Sequence, residues 1–385
     1  MTERRHIRIS CFLFFTMAVS SFVVIEPSPY DLLIILIIII GFAFSIYNFS
    51  REVIFPILML CIFLISNLLS LFFIEEIGPS IFYTAISFYL ALTWIGIIGM
   101  RNLLKWPYLQ IILHGYLVSA CISATIGILA YFQLIPNSEF FLMYGRVKAL
   151  FKDPNVFGPF LVMPALFALS MTELKNTLYV KRIFYYISFF ILFIGIILSF
   201  SRAAWGNFIL SLLVFLSLYK GNFFKKRVNT IIFIVLIGIP GILYFIQTPM
   251  VEDLLASRLS YQGYDDNRFD TQIAALKVGF SNPLGIGAGQ TEVILKTSTH
   301  SLYARLFVEN GFLGFLSFLG VLIACIYKSF KSFINSDGDI AIFHLVVFTS
   351  LIGLVFNSFF VDTLHWRHLW LLLILAWIPA NENID

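Results

Sequence analysis

The chain has 385 residues, 60% of them hydrophobic and only 12% charged, with a formal net charge of +4. Soluble domains carry about 25% charged residues, so this composition excludes an ordinary soluble domain and fits a polytopic membrane protein. The small basic surplus gives no sign of a nucleic-acid partner.

The chain opens with a basic stretch, Met1–Arg8, followed by an apolar run in which Ala18-Val19-Ser20 resembles a signal-peptidase site. An uncleaved first span is expected, because the next apolar run follows at once. A spanning helix needs about 20 apolar residues. On that measure the sequence predicts an all-α membrane protein, a single membrane domain over 1–385. Twelve spans are expected, near 8–25, 32–49, 53–73, 79–100, 107–134, 154–172, 183–200, 203–219, 229–247, 303–327, 340–361 and 366–380. The run from Ile183 to Leu218 must turn back, since one helix of that length would extend about 54 Å. The turn falls at Ser201-Arg202. Cys11, Cys61, Cys121 and Cys325 all lie in apolar runs with no CxxC pair, which predicts packing residues rather than a disulfide framework or zinc site.

Alternate loops sort by charge. Arg4, Arg5, Arg8, Arg51, Arg101, Lys105, Lys175, Lys181, Arg182, Lys220, Lys225, Lys226, Arg227, Lys328 and Lys331 fall in one set, whereas Glu26 to Asp31 and Glu75-Glu76 in the other have no basic residue. The positive-inside rule puts the first set and both termini in the cytoplasm. The one long polar loop, 248–302, then faces outward. Basic residues on that side need a reason to be there: Arg146, Lys148, Lys152, Arg202, Arg258, Arg268 and Arg367. They either hold an anion, which guanidinium binds through paired hydrogen bonds, or pair with Asp153, Asp265, Asp266 and Asp362. Arg202 has no loop to carry it into water and so sits at headgroup depth. There it either snorkels to lipid phosphate or binds the phosphates of a lipid-linked substrate.

Asp153-Pro154-Asn155 reads as a helix start, with Asp153 or Asn155 near the cap and Pro154 in the first turn. In the long loop, Asp265-Asp266-Asn267 is expected to cap a short helix. Its stripe of Phe269, Ile273, Leu276 and Phe280 would lie flat on the membrane. Gly285, Gly287 and Gly289 allow a tight backbone path, but no strand precedes them and a dinucleotide fingerprint is not expected. His300 ends the loop, with Ser298 and Thr299 as candidate caps of the next span. A helix N-terminus disfavours imidazolium and would keep this histidine neutral.

These stretches, in this order, resemble the O-antigen ligase and surface-polysaccharide polymerase superfamily of bacterial inner-membrane proteins. The matching pieces are Arg146 through Asp153-Pro154-Asn155, Ser199-Phe-Ser-Arg202-Ala-Ala-Trp205, Arg268 ahead of Asn282-Pro-Leu-Gly-Ile-Gly-Ala-Gly289, and His300-Ser-Leu-Tyr-Ala-Arg305 through Glu309-Asn-Gly311 to Gly314. One departure is Ser301, where that family often has Asn. The resemblance implies a glycosyltransferase in the cytoplasmic membrane, acting on a glycan carried by undecaprenyl pyrophosphate. It needs no metal or other cofactor. His300, Arg202 and Arg268 would be catalytic: the arginines on the pyrophosphate, and the histidine as general base on an acceptor hydroxyl. Arg146, Lys152, Asp153, Arg258 and Glu309 would bind substrate. Partners would be the lipid-linked glycan, a glycan or lipid-linked acceptor, membrane lipids and polysaccharide-assembly proteins. A polymerase is preferred over a ligase, which differs only in acceptor. A flippase is the non-enzymatic alternative, although the spans offer it little beyond His114, His344, Arg305 and Glu309.

Overall fold

The computed structural model describes residues 2–104, 106–174, 178–218, 220, 224–238, 240–241, 251–252, 256, 260 and 263–379. The first half runs α1 (Thr2–Ala18), α2 (Pro29–Ala43), α3 (Ile54–Ser70), α4 (Ile77–Gly99) and α5 (Trp106–Tyr131). A hairpin of β1 (Leu142–Met143) and β2 (Arg146–Val147) follows, then α6 (Pro154–Phe160), α7 (Val162–Glu173), α8 (Tyr179–Leu198), α9 (Arg202–Ser217) and α10 (Phe224–Phe233). The last part holds α11 (Gly263–Ser281), α12 (Thr291–Leu295), α13 (Leu302–Asn335), α14 (Gly338–Asn357) and α15 (Arg367–Leu375).

Seven described helical segments are long and apolar enough to cross a membrane: Arg51–Phe73, Ile77–Gly99, Pro107–Tyr131, Pro154–Glu173, Tyr179–Leu198, Leu302–Asn335 and Gly338–Asn357. The other expected spans hold shorter helices. At about 1.5 Å per residue, α2, α9 and α15 are each too short to cross about 30 Å of hydrocarbon alone. Local chemistry sets those lengths. Alpha-2 begins at a capping box, in which Asp31 Oδ2 accepts from Ser28 N at 2.9 Å and Ser28 Oγ accepts from Asp31 N at 3.3 Å. It stops just short of Ser45, whose φ is +51°. Of the expected span 229–247, residues 242–247 lie outside the described residues.

Alpha-13 is the spine, packed along α3 and α14, while α14 lies against α9 and α7. The core is rich in aromatic rings, with Trp94, Trp370, Phe63 and Phe318 almost fully buried. Large apolar side chains also cover the outside: Phe42, Phe72, Ile81 and Leu213 are 59–83% exposed. Patches of that size would drive association in water, whereas in lipid they are the solvated surface. Cys11 and Cys61 are exposed on this outer surface rather than packed inside, and only Cys325 is buried.

At one end of the bundle, Arg227 is buried against Glu173 at 3.0 Å, and Lys328 reaches Glu52 at 2.6 Å. The opposite end gathers the hairpin, the α8–α9 turn, α11, α12 and the segment between α14 and α15. That end carries the site.

Candidate active site

The hairpin turns on Tyr144 and Gly145, both at positive φ (51° and 71°), the backbone a two-residue hairpin loop needs. This sets Arg146 beside the end of α8. Its Nε donates to Ser199 O at 2.9 Å and its Nη2 to Asn155 Oδ1 at 2.8 Å. Asn155 is held in turn by the start of α6, where Asp153 is the N-cap and its Oδ1 accepts from Asn155 N at 2.6 Å. Pro154 occupies the first helical position, as the sequence predicts. Between α8 and α9 the chain reverses through Phe200 at φ +45°, and Ser201 caps α9 so that Arg202 is its first residue.

Arg146, Arg202 and Arg268 line one cavity of about 470 Å³, together with Asn155, Ser201, Gln272, Phe200, Phe269, Phe356 and Phe360. No carboxylate is among its described lining residues. Three cations, amide groups and aromatic walls make a chamber suited to an anion with an apolar attachment.

Alpha-11 supplies Arg268 and begins at Gly263. Asp265 and Asp266 therefore lie in its first turn and are not its caps, as the sequence had suggested. The expected apolar stripe is present: Phe269, Ile273, Leu276 and Phe280 are 42–71% exposed.

His300 precedes α13. Its backbone sits at φ +48°, and its N–H donates to Ser298 Oγ at 3.5 Å. The cap of α13 is Ser301, whose Oγ accepts from Ala304 N, rather than Ser298 or Thr299. Leu302 N donates to Ser358 O at 3.0 Å and docks this corner on the α14–α15 segment. The His300 imidazole is half-buried and titrates below its ordinary value. Burial is the first cause, followed by the Arg268 and Arg305 charges, while Asp153 and Glu292 pull the other way. Arg268 thus serves two places, lining the cavity and acting on the histidine.

The glycine-rich segment has a structural explanation. Alpha-13 is broken at Gly311, at φ 66° and ψ −170°. The segment crosses that break: Ile286 N donates to Val308 O at 2.9 Å, Gly287 N to Glu309 O at 3.2 Å, and Phe312 N to Pro283 O at 3.0 Å. Ser66 Oγ caps Asn310 O at 2.6 Å. A Cβ on Gly285 would stand 2.2 Å from Glu309 O, and one on Gly311 2.2 Å from Pro283 O. Only glycine permits the two backbones to cross so closely.

Beside this crossing lies a buried ionic knot. Arg305 meets Glu309 at 3.2 Å and Asp362 at 2.9 Å, also pairs with Glu292, and donates to Ser298 Oγ at 3.2 Å. Glu309 is fully buried and accepts from Gly289 N at 2.9 Å and from the Thr291 hydroxyl at 2.5 Å. The Arg305 guanidinium also stacks over the Tyr83 ring.

Residues 187–319 match the family described as O-antigen ligase. The resemblance to the O-antigen ligase superfamily is borne out. The matched stretch contains Arg202, Arg268, His300, Glu309 and Gly311, and begins after Arg146 and Asp153. A ComP-specific O-oligosaccharyltransferase of Acinetobacter baylyi is 28% identical over 265 residues, covering 63% of this chain and 45% of that protein. The match therefore spans less than half the length of this curated relative.

The structure sorts the expected site residues into groups. Arg146, Arg202 and Arg268 meet in one cavity, with His300 and Asp153 beside it. Lys152 points elsewhere, pairing with Glu26 at 2.6 Å at a second cavity. Glu309 has its carboxylate filled by Arg305, Thr291 and backbone N–H groups, so it holds the framework rather than a substrate. Arg258 lies outside the described residues. Arg367, one of the outward cations, forms a two-point pair with Asp31 at 2.6 and 2.7 Å. Gln272, Glu292 and Tyr83 carry no sequence signal, Asn155 reads in the sequence only as part of a helix start, and Arg305 only as a charge within a span. The Arg305–Glu309 spacing of four on a helix was the available signal for the knot.

Proposed function

We propose that this protein is a glycosyltransferase of the O-antigen ligase type. It would move a glycan from undecaprenyl pyrophosphate to an acceptor hydroxyl at the outer face of the cytoplasmic membrane. The observation that carries this reading is the cavity shared by Arg146, Arg202 and Arg268, walled also by Asn155, Gln272 and aromatic rings. A pyrophosphate headgroup brings negative charge and many acceptor oxygens to three guanidinium groups. The exposed apolar face of α11 and the Phe200 and Phe360 walls suit the isoprenoid end.

The chemistry is a single displacement. The acceptor hydroxyl gives its proton to His300, its oxygen bonds to the anomeric carbon, and the bond from that carbon to the phosphate oxygen breaks. The electron pair leaves on the pyrophosphate, where the arginines stabilise it. Attack opposite the leaving group inverts the anomeric centre. The depressed basicity of His300 keeps it neutral near pH 7 and available as a base. Pyrophosphate is a good leaving group, so the displacement requires no metal.

The two comparisons carry the words ligase and oligosaccharyltransferase, and they support transfer to a terminal acceptor over the polymerisation favoured by the sequence alone. Polymerisation uses the same chemistry with another lipid-linked repeat as acceptor. Lipid and gel analysis of surface polysaccharide in a deletion strain tests both. A ligase leaves full-length chains on undecaprenyl pyrophosphate; a polymerase leaves single repeats and no long chains. His300→Ala should insert normally and fail to restore the polysaccharide, and near-normal restoration would remove the general-base role.

A further inference from the structure

A second cavity, of about 220 Å³, opens at the same end of the bundle, and Lys152, His365, Trp366, His368, Tyr30 and Phe160 are among its lining residues. It shares two walls with the arginine cavity. One is the segment 146–156, which gives Arg146 and Asn155 to the first and Phe151, Lys152 and Val156 to the second. The other is the segment 356–368, which gives Phe356, Phe360 and Val361 to the first and His365 to His368 to the second. His300 lies near both shared segments: Leu302 N of its corner donates to Ser358 O, and its ring feels the Asp153 charge. In the second chamber the cations, Lys152 and Arg367, are each paired with a carboxylate, Glu26 and Asp31, which leaves it as the attacking side and the arginine chamber as the leaving-group side.

The second chamber has the chemistry of a sugar site. Aromatic rings from Tyr30, Phe160 and Trp366 offer faces for the C–H side of a pyranose. The Lys152–Glu26 pair at the mouth, half-exposed, presents both a donor and an acceptor to hydroxyl groups. His368 is only 5% exposed, yet its Nε2 has no hydrogen-bond partner among the described residues. Buried polar atoms are normally satisfied, so this nitrogen points to a polar occupant. His365, kept neutral because burial pushes its basicity down to about 4, bonds Ser87 Oγ at 3.0 Å through Nε2. The volume lies below the roughly 300–1,000 Å³ of pockets for larger ligands, which suits one ring rather than a chain.

We propose that this cavity is the acceptor subsite, binding the terminal sugar ring of the acceptor with its attacking hydroxyl turned toward His300. The inference rests on the transferase reading, but it is tested by binding alone. The full chain in lipid nanodiscs would be examined by saturation-transfer NMR with the methyl glycosides of glucose, galactose and N-acetylglucosamine, and with n-hexanol as an apolar probe. At least one glycoside should receive saturation from the wild-type protein. The signal should be lost in His368→Phe, which fills the chamber, and weakened in Lys152→Ala, which alters only the exposed mouth. It should persist in His300→Ala, which loses transfer under the proposed mechanism. Glycoside signals that are absent, or unchanged in both His368→Phe and Lys152→Ala, overturn the proposal. So does saturation of hexanol alone, lost in His368→Phe, which would make the chamber a lipid-chain pocket. Binding that persists with unimpaired transfer in His300→Ala breaks the mechanism and leaves the subsite standing.

Discussion

Two sets of arginines stand at the same end of this bundle and differ in where their guanidinium groups lie. Arg305 is buried and meets Glu292, Glu309 and Asp362 from three separate segments. Arg146, Arg202 and Arg268 line a cavity whose described residues include no acid. Arg305 is neutralised by the protein itself and ties its segments together, because a buried guanidinium without partners would be costly. The cavity arginines face a chamber that a dianionic headgroup could enter. Arginine at the outer face therefore does not by itself mark substrate binding. Whether the guanidinium lines a cavity or is buried among carboxylates is what separates the two sets.

The sharpest way to break that contrast is to remove the internally neutralised cation. Arg305→Ala leaves Glu309 fully buried without its counter-charge, and breaking such a pair costs about 3–5 kcal/mol. Thermal unfolding in detergent should show a large drop, with loss of the purified, inserted protein. The same stability in Arg305→Ala as in the parent would mean the knot holds nothing together. Arg268→Ala, by contrast, should leave the unfolding temperature close to that of the parent while transfer falls by about 10²–10³, the scale for removing one charge-stabilising donor.

A smaller effect separates charge from geometry within the cavity. Arg202→Lys keeps the cation but loses the planar fork that engages two phosphate oxygens. Transfer should drop by about tenfold or more, on the scale of one charged hydrogen bond worth about 1.5–3 kcal/mol. Full activity in the lysine variant would mean that Arg202 only reaches toward lipid phosphate.

How much of this was legible in the sequence follows the range of the forces involved. The apolar runs show where helices lie, and Asp153-Pro154 gives the start of α6, because caps and hydropathy are local. Helix ends were read less well: α2 and α15 are shorter than their apolar runs, and α2 stops just short of the positive-φ turn at Ser45. The convergence of Arg146, Arg202 and Arg268 followed from a resemblance; their spacing alone could not have shown it, because long-range packing brings them together. The Gly285–Gly311 crossing was invisible, as each glycine meets a backbone more than twenty residues away. Glu309 was assigned to substrate because a motif records that a residue matters without recording what it touches.

The finest test uses opposite signs at His300. Its imidazole titrates below the ordinary value of 6.5, so the neutral base dominates near pH 7 and the acid limb of transfer should lie below 6.5. Arg268 lowers that basicity and Asp153 raises it. Arg268→Gln should therefore move the acid limb of the residual activity to higher pH, whereas Asp153→Asn should move it to lower pH. Asn caps a helix about as well as Asp, so the second variant should keep α6 intact. Linkage gives the same direction for stability. A histidine with depressed basicity contributes stabilisation above 6.5 that is lost as the pH falls through its folded value, and Asp153→Asn should carry that loss to lower pH. Activity profiles and an NMR titration of the His300 ring read the two shifts independently. If both variants move the limb the same way, the base is not the residue that stands between these two charges. If neither variant moves it, the titrating group of the reaction lies elsewhere in the site.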